Sequence, residues 1–328
     1  MSERNVILEV RDLIKHFPLR ESFFLKSKQS VKAVDGISFS IDQGETMALV
    51  GESGCGKSTT AKLLLRLIEP TSGTIRFSGC DFLSLNGKEL LSLRREIQII
   101  FQDSFASLNP RRTVREILKQ PFRNYGTEKD GINKEICDLL ELVGLSPPSI
   151  FLNRHPHELS GGQRQRIGIA RALALHPKLI VADEPVSALD MSVKAQILDL
   201  MKRLQRQFSL SYLFITHDLA VVRSLANRVA VMYLGLIVER GPVERVFSNP
   251  LHPYTKVLLS STPIPNPRLA RERKVTLLKG EIPSPINPPK GCRFHTRCPF
   301  VMGRCREDVP ILQEKENGQT VACILYDQ

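Results

Sequence analysis

The feature that most constrains this chain is a glycine-rich stretch at residues 51–58, which reads Gly-Glu-Ser-Gly-Cys-Gly-Lys-Ser. It follows the apolar run 46–50 and precedes a helical pattern over 59–68. The spacing fits G-x-x-x-x-G-K-[ST], in which the glycines let backbone N–H groups surround a polyphosphate. A chance match in a chain of this length has a probability of roughly one in a hundred. The stretch, called here the phosphate loop, therefore predicts nucleotide binding at a strand-to-helix turn.

Within the phosphate loop each residue type has a physical task. Lys57 supplies a positive charge for the β- and γ-phosphates, and the Ser58 hydroxyl can ligate Mg²⁺. The helix that begins near Lys57 directs the positive end of its dipole at the same anion. The residues expected to contact the nucleotide are Gly51, Glu52, Ser53, Gly54, Cys55, Gly56, Lys57, Ser58 and Thr59.

Composition limits the remaining classes only in part. The net charge of +12 suits nucleic acid, an anionic membrane surface or a nucleotide, but a solvated basic surface is as compatible with it. No run of 18 apolar residues is present, so the sequence predicts no membrane span. The first residues lack the apolar segment of a secretory signal, which predicts a cytoplasmic protein with reduced or metal-bound cysteines.

Two carboxylates follow a second apolar strand at 179–182. Asp183 at the end of a buried strand can hold Mg²⁺, and Glu184 can polarise a water. Two acids can also simply end a strand, but beside a phosphate loop that interpretation is disfavoured. The pair therefore predicts the carboxylates of a nucleotide hydrolase.

Two further polar residues come directly after apolar strands. Gln102 follows the run 97–101 and could reach a metal ion or a water, although a single glutamine in a loop is more often only solvated. His217 follows the run 212–216 and could contact a γ-phosphate, although a single histidine is more often structural. Both stay open on spacing alone.

A second anion site is indicated well downstream of the first. Ser160 reads as a helix N-cap followed by Gly161 and Gly162, at the positive end of a long amphipathic helix. The periodicity of residues 113–145 is also helical, so a helix-rich segment is set into a strand-rich chain. Nothing in the spacing connects this anion site to the phosphate loop.

The two ends of the chain carry weaker signals. Phe17 follows the first predicted strand and could stack on adenine, although a core position is the more common role. The basic insert 20–32 reads as a loop. Near the other end, Cys292, Cys298, Cys305 and Cys323 have five, six and seventeen residues between them, which argues against the tight pairs of zinc modules. An iron–sulfur cluster and free thiols both stay open.

Taken together, these motifs resemble the ATP-binding subunit of an ABC transporter over residues 5–245. The most specific of them is the signature segment, Leu159-Ser-Gly-Gly-Gln163, which separates this family from other phosphate-loop ATPases. The resemblance implies an α/β phosphate-loop NTPase with a RecA-like core, an antiparallel β subdomain and a helical subdomain at about 103–175. A small cysteine-containing domain would follow at 246–328.

The resemblance also implies roles that spacing left open. It implies that Phe17 stacks on adenine and that Ser58, Gln102 and Asp183 hold Mg²⁺. It also implies that Glu184 is the general base, with Gln102 and His217 as catalytic partners. Asp190 would belong to the D-loop. Two such domains meet head to tail in the family. The residues expected to bind the ATP of the partner subunit are Ser160, Gly161, Gly162 and Gln163.

Other stretches are similar to the oligopeptide and dipeptide importer branch, where the long basic insert is typical of the second of two ATPase subunits. The branch implies two transmembrane permease subunits, a sister ATPase or a second copy, an extracytoplasmic solute-binding protein, and a peripheral position on the cytoplasmic membrane face. It also favours a [4Fe-4S] cluster on the four cysteines. The stretches that carry this likeness are 101–111, 155–166, 252–255 and 291–299.

One rival interpretation comes from another class. A soluble ABC ATPase that acts on nucleic acid or ribosomes would also suit the charge of +12. Such proteins usually carry two tandem ATPase cores or a long coiled coil, and this sequence predicts one core without sustained heptads. The sequence therefore favours an importer ATPase that uses ATP and Mg²⁺ and binds no nucleic acid.

Overall fold

The computed structural model describes residues 5–19, 29–126, 131–261 and 280–327. Most of the basic insert that the sequence predicts as a loop, residues 20–28, lies outside the described residues. The remaining elements alternate strands and helices, as expected for an α/β chain.

Apart from Val6–Pro18 and Ser30–Asp42, which have 13 residues each, the strands have two to seven residues. Those that carry the predicted functional residues at their ends, such as Thr46–Val50 and Leu179–Asp183, are buried along their whole length. Continuous burial is typical of parallel strands that are covered on both faces. The strands are β1 (Val6–Pro18), β2 (Ser30–Asp42), β3 (Thr46–Val50), β4 (Ser72–Phe77), β5 (Cys80–Asp81), β6 (Ile97–Ile100), β7 (Leu179–Asp183), β8 (Ser211–Thr216), β9 (Arg228–Tyr233), β10 (Leu236–Pro242), β11 (Gln313–Glu314) and β12 (Thr320–Val321).

The helices begin where the sequence places its glycine-rich and capping residues. The helix after the phosphate loop starts at Lys57, and the helix after the signature segment starts at Gly161. The α-helices are α1 (Lys57–Leu64), α2 (Gly87–Glu96), α3 (Val114–Asn124), α4 (Ile132–Leu142), α5 (Gly161–Leu173), α6 (Met191–Phe208), α7 (Leu219–Leu225), α8 (Val243–Ser248) and α9 (Pro253–Ser260).

The chain forms two compact units, and each of them combines separate stretches of sequence. Unit 1 contains Met1–Ile7, Ile41–Thr46 and Phe77–Ile215, and unit 2 contains Leu8–Ser40, Met47–Arg76 and Thr216–Gln328. In unit 2 the residues after 245 therefore belong to the same compact body as the phosphate loop.

Unit 1 contains a parallel arrangement of β6, β7 and β8. Ile100 pairs with Ala182, and Asp183 pairs with Ile215, so these strands end at the same edge. The edge at the carboxyl ends of parallel strands is where ligands bind in open α/β sheets. The predicted polar residues that follow β6 and β7 therefore come to one edge of this sheet.

Unit 1 also contains the predicted helix-rich segment, as α3, α4 and α5. The helix α3 begins with a capping box, in which the Thr113 hydroxyl accepts from the Glu116 N–H and the Glu116 carboxylate accepts from the Thr113 N–H. Val114, Ile117 and Leu118 are buried, as the helical spacing predicts.

Unit 2 places the phosphate loop after a central strand. Here β3 pairs in parallel with β9, β9 and β10 form an antiparallel pair, and the short strands β12 and β11 follow on β10. The sheet therefore continues directly into residues near the C-terminus.

A buried carboxylate fixes the segments after β10. Glu239 in β10 accepts from the backbone N–H groups of Leu251 and His252 at 2.8 and 2.9 Å, and from the Gln319 side-chain amide at 2.6 Å. Burial raises the pKa of Glu239, and these donors partly offset that effect. The start of α9 and the turn before β12 are thus joined to β10 by a single side chain.

No helix among the described residues is long and apolar enough to cross a membrane. The longest described helix, Met191–Phe208, carries charged residues along its exposed face.

Candidate functional site

The phosphate loop folds around the lysine of its motif. Lys57 is 5% exposed, and its Nζ donates to the carbonyl oxygens of Gly51 and Glu52 at 2.8 and 2.9 Å. The lysine charge is therefore held inside the curve of the loop, where a phosphate oxygen could replace the carbonyl oxygens as its partner.

Glycine is required at two positions in this loop. Gly51 has φ 155° and Gly56 has φ 110°, and a Cβ at either position would lie 2.1 Å from a backbone oxygen, of Met232 and Ala33 respectively. No side chain fits at that distance, so the loop can pass its neighbours only as bare backbone. This close approach explains the glycines of the motif in terms of the fold as well as of the ligand.

In unit 1, the structure joins two of the predicted catalytic residues directly. The Gln102 side-chain amide donates to a carboxylate oxygen of Glu184 at 3.1 Å. Asp183, beside it, is 8% exposed at the end of β7. Gln102, Asp183 and Glu184 therefore lie at one sheet edge, a meeting that spacing alone left open.

The backbone of Glu184 is unusual. Its φ is 46°, in the left-handed region that non-glycine residues rarely occupy. The Glu184 N–H donates to the Ile215 carbonyl at 2.9 Å, and the Ser187 hydroxyl donates to the Glu184 carbonyl at 3.1 Å. These contacts fix the Glu184 backbone at the strand end, and Gln102 holds its carboxylate.

The signature segment begins α5 with a capping box. The Ser160 side chain accepts from the Gln163 N–H at 3.3 Å, and the Gln163 side chain accepts from the Ser160 N–H at 3.0 Å. The first turn contains no acidic residue, so the positive end of the helix dipole is not neutralised there. Gly162 lies so close to Val193 that a Cβ would be 2.6 Å from it.

The remaining predicted site residues differ in exposure. Phe17, at 37% exposure, keeps its ring available, with the Lys15 ammonium 5.0 Å from the ring centroid. Cys55 is buried, and burial raises the pKa of its thiol. Exposed or partly exposed positions are those of Ser53, Gly54, Ser58, Thr59, Asp190 and His217.

Two residues that contact the phosphate loop were not expected from the sequence. The Tyr254 hydroxyl accepts from the Glu52 N–H at 2.9 Å, and the Arg297 guanidinium donates to both carboxylate oxygens of Glu52 at 2.8 and 3.2 Å. Both lie in the stretches 252–255 and 291–299, whose sequence is typical of the importer branch. The sequence likeness identified these stretches as typical of the importer branch, but it did not predict which residues they contact.

The four C-terminal cysteines lie near one another as thiols. Burial raises the pKa of Cys292 and of Cys323 to about 11, and the pKa of Cys298 is also raised by burial. The Cys298 sulfur accepts from the Phe300 N–H, and the Cys305 sulfur accepts from the Met302 N–H, each at 3.4 Å.

These cysteines do not support the predicted [4Fe-4S] cluster. Across residues 5–19, 29–126, 131–261 and 280–327, no group of three or more His, Cys, Asp or Glu side chains is arranged to hold a metal ion. Cys305 is buried, and Cys292, Cys298 and Cys323 are half-buried free cysteines. The described residues therefore give no support to the cluster prediction.

Two family models match the chain, one for the ABC transporter over residues 34–187 and one for the C-terminal region of oligopeptide/dipeptide transporters over residues 238–305. Among the relatives is an oligopeptide transport ATP-binding protein, AppF, of Bacillus subtilis, 52% identical over 99% of both chains. The chain belongs to the ABC transporter ATPase family. It is thus an ATP-binding ABC ATPase, and the predicted family and fold class are confirmed.

Other relatives and solved structures agree with this family. The oligopeptide transport ATP-binding protein OppF of Salmonella typhimurium is 49% identical over 100% of this chain and 98% of its own length. A dimeric post-hydrolysis structure of the ATP-binding cassette MJ0796 bound to ADP and Pi matches 72% of this chain and 98% of its own, with a TM-score of 0.63 and 29% identity. The structure of cbiO1 from Clostridium perfringens matches 75% of this chain and 92% of its own, with the same TM-score and 28% identity.

The packing around the phosphate loop predicts the effect of adding one methyl group. We expect Gly56→Ala to destabilise the chain by about 3 kcal/mol or more, because the new Cβ meets the Ala33 oxygen and the φ of 110° is strained. Gly36→Ala is the matched control, since Gly36 has φ 95° with no atom within 4 Å of the added Cβ. Thermal unfolding of both variants checks this, and equal losses would contradict the role of close packing.

Proposed function

We propose that this chain is the ATP-hydrolysing subunit of an importer of dipeptides, oligopeptides or a related small solute. The observation that carries the proposal is the full-length likeness to peptide transport ATP-binding proteins, at 52% identity over 99% of the chain. The match of residues 238–305 to the oligopeptide/dipeptide transporter C-terminal region supports the same solute class.

The proposed cycle begins at the phosphate loop in unit 2. The backbone amides of residues 51–58 and the Lys57 ammonium would bind the phosphates, and Phe17 would stack on adenine. The residues that would hold Mg²⁺ are Ser58, Gln102 and Asp183. What supports Mg²⁺ there is the oxygen chemistry of these side chains, which suits a small hard cation. Bound Mg²⁺ would neutralise charge on the β- and γ-phosphates.

Hydrolysis would use the polar edge of unit 1. Glu184 would accept a proton from the attacking water, and Gln102, which donates to it, would orient the carboxylate. His217 would contact the γ-phosphate, and Asp190 would act in the D-loop at the start of α6. The fixed backbone of Glu184 supports this role, because a general base must keep one direction through the cycle.

The signature segment would serve a second ATPase subunit. Ser160, Gly161, Gly162 and Gln163 would bind the phosphates held by the loop of a sister chain or a second copy. The unneutralised N-terminus of α5 supports an anion as the ligand. ATP binding would then bring two subunits together, and hydrolysis would release them, as a ligand shifts a two-state equilibrium.

The partners follow from the same proposal. Two transmembrane permease subunits and an extracytoplasmic solute-binding protein would complete the importer, with this chain on the cytoplasmic face of the membrane. We also propose the domain division 5–245 and 246–328, with the helical subdomain at about 103–175. The rival function, a soluble ATPase acting on nucleic acid or ribosomes, is not favoured, because the full-length relatives are peptide transport proteins.

Removal of the general base should uncouple binding from turnover. In the importer assembled with its permeases, Glu184→Gln is expected to lower ATP hydrolysis and peptide uptake by about 10²–10⁴-fold while ATP affinity is kept. The amide is isosteric and still accepts from Gln102. Glu141→Gln, an exposed change on α4, is the control. If the Glu184→Gln variant hydrolyses ATP as fast as the Glu141→Gln control, Glu184 is not the general base. If the parent importer hydrolyses ATP but takes up no peptide, the proposed function is wrong.

A cation in the signature segment should block the shared site. Ser160→Arg is expected to abolish the partner-dependent part of ATP hydrolysis, because the guanidinium would occupy the place of the other subunit's phosphate. Thr113→Arg is the matched control, since Thr113 also caps its helix through a capping box and costs a similar cap energy, about 1 kcal/mol. Hydrolysis is measured against protein concentration, and equal rates for the two variants would contradict the shared site.

The iron–sulfur cluster is the one cofactor prediction that no observation on the chain supports. Iron and acid-labile sulfide assays after anaerobic purification test it, with Cys298→Ser as the control. A cluster would give about four irons per chain that the variant loses. We expect neither element above the background of the variant, because no metal-holding group is found among the described residues, which include all four cysteines.

A further inference from the structure

Arg297, five residues beyond Cys292, forms an ion pair with Glu52 of the phosphate loop. Its guanidinium makes a two-point contact with the Glu52 carboxylate, at 2.8 and 3.2 Å, and only 7% of its side chain is exposed. The hydrogen bonds to Glu52 are the main cause that raises the pKa of Arg297, so the guanidinium stays charged. Paired, planar contacts of this kind fix direction as well as charge.

Glu52 is the residue of the loop on which several contacts converge. Its N–H donates to the Tyr254 hydroxyl, its carbonyl accepts from Lys57 Nζ at 2.9 Å, and its carboxylate accepts from Arg297. The position of the Lys57 ammonium thus depends on the Glu52 backbone, and the Glu52 side chain is fixed by Arg297. One residue therefore connects the cysteine region, residues 292–323, to the lysine of the phosphate loop.

The partners of Glu52 are themselves rigid. Tyr254 is fully buried, and its ring lies 4.7 Å from Tyr233 and 5.5 Å from Phe294, measured between ring centroids. The Arg297 guanidinium also lies over the Tyr233 ring, 6.0 Å from its centroid. Aromatic rings packed at these distances hold one another in place. The Tyr254 hydroxyl and the Arg297 guanidinium therefore keep their positions relative to Glu52.

The charge of Glu52 is the reason why this contact matters for the ligand. A carboxylate inside a loop that binds a polyphosphate repels the ligand and competes with it for Lys57, which is the cation nearest in sequence. Pairing with Arg297 neutralises the carboxylate and directs it toward the cysteine region. Without the guanidinium, the same carboxylate would be an internal competitor of ATP.

We propose that Arg297 is a positioning residue of the phosphate loop, which acts through Glu52 to keep the charge of Lys57 available for the triphosphate. The proposal deepens the proposed function and rests on the assignment of residues 51–58 as the nucleotide site. It gives the C-terminal extension a task in ATP binding, in addition to any contact with partner proteins.

The test measures ATP affinity of the full-length chain with a fluorescent ATP analogue and unlabelled ATP as competitor. Arg297→Met is expected to weaken binding about tenfold, because it keeps the bulk of the side chain and leaves the carboxylate without its cation. In the Glu52→Gln background, the same change is expected to weaken binding by no more than about twofold. Arg297→Lys, which keeps the charge and loses the two-point contact, should fall between parent and Arg297→Met.

Two controls separate this proposal from its alternatives. Arg304→Met removes an arginine of the same region whose ion pairs go to Asp308 and Asp327, so it should leave ATP affinity unchanged. Lys57→Met should abolish binding, and if it binds ATP like the parent, the proposed site itself is wrong. The thermal unfolding midpoint of each variant is measured without nucleotide to report on stability.

The outcomes are distinct. The positioning role is supported if Arg297→Met lowers ATP affinity only when Glu52 is charged. In the assembled importer the same variant should then show a raised KM for ATP and a nearly unchanged kcat. An equal loss in both Glu52 backgrounds would show a purely structural effect of Arg297 and overturn the proposal. Unchanged affinity in Arg297→Met, with binding abolished in Lys57→Met, would overturn it as well and leave the nucleotide site in place.

Discussion

The phosphate loop depends on one physical constraint, the close passage of its backbone past other backbone. Gly51 and Gly56 pass so near to the Met232 and Ala33 oxygens that a Cβ at either would lie 2.1 Å away. Because of this close approach the loop curves around Lys57. The Lys57 ammonium therefore lies within hydrogen-bond distance of the Gly51 and Glu52 carbonyl oxygens. Because Lys57 is almost fully buried, its charge is acceptable only with such partners. The anion site is therefore a result of how unit 2 packs, and a phosphate would complete interactions that the fold already requires.

In the same unit, two arginines join the C-terminal extension to residues near the phosphate loop. Arg297 binds the Glu52 carboxylate, and Arg293, four residues earlier, binds Asp35 and the Leu234 carbonyl. Burial alone would raise the pKa of Asp35, but the hydrogen bond from His16 and the charge of Arg293 outweigh burial and lower it. Asp35 therefore stays ionised as the partner of a buried cation. The two arginines flank Phe294, which packs on Tyr233 and Tyr254, so the segment is fixed by charge at both ends and by aromatic contact between them.

Sequence spacing predicted the parts of the site that are local in the chain. The phosphate loop, the acids after β7 and the N-cap of α5 each lie within a few residues, and the structure forms each of them as its pattern indicates. Spacing alone left Gln102 open, and the structure brings it to Glu184 because the two residues follow neighbouring parallel strands that end at one edge. The contact between Glu52 and Arg297 spans 245 residues, and no periodicity connects such distant positions. For the four C-terminal cysteines spacing left the alternatives open and the family resemblance favoured a cluster, which no metal-holding group among the described residues supports.

The backbone of Glu184 adds a physical argument for its role that no motif supplies. A glutamate with φ of 46° costs of order 1 kcal/mol relative to an ordinary conformation, and a fold keeps such a cost only when several contacts require it. Here the Glu184 N–H is bound to the Ile215 carbonyl of β8, and Ser187 holds the Glu184 carbonyl from the other side. The turn therefore directs the carboxylate away from the strand axis and toward Gln102. Asp183, one residue earlier, keeps the strand conformation and is buried. The two adjacent acids thus differ in backbone conformation, which suits the proposed division between holding a metal ion and polarising a water.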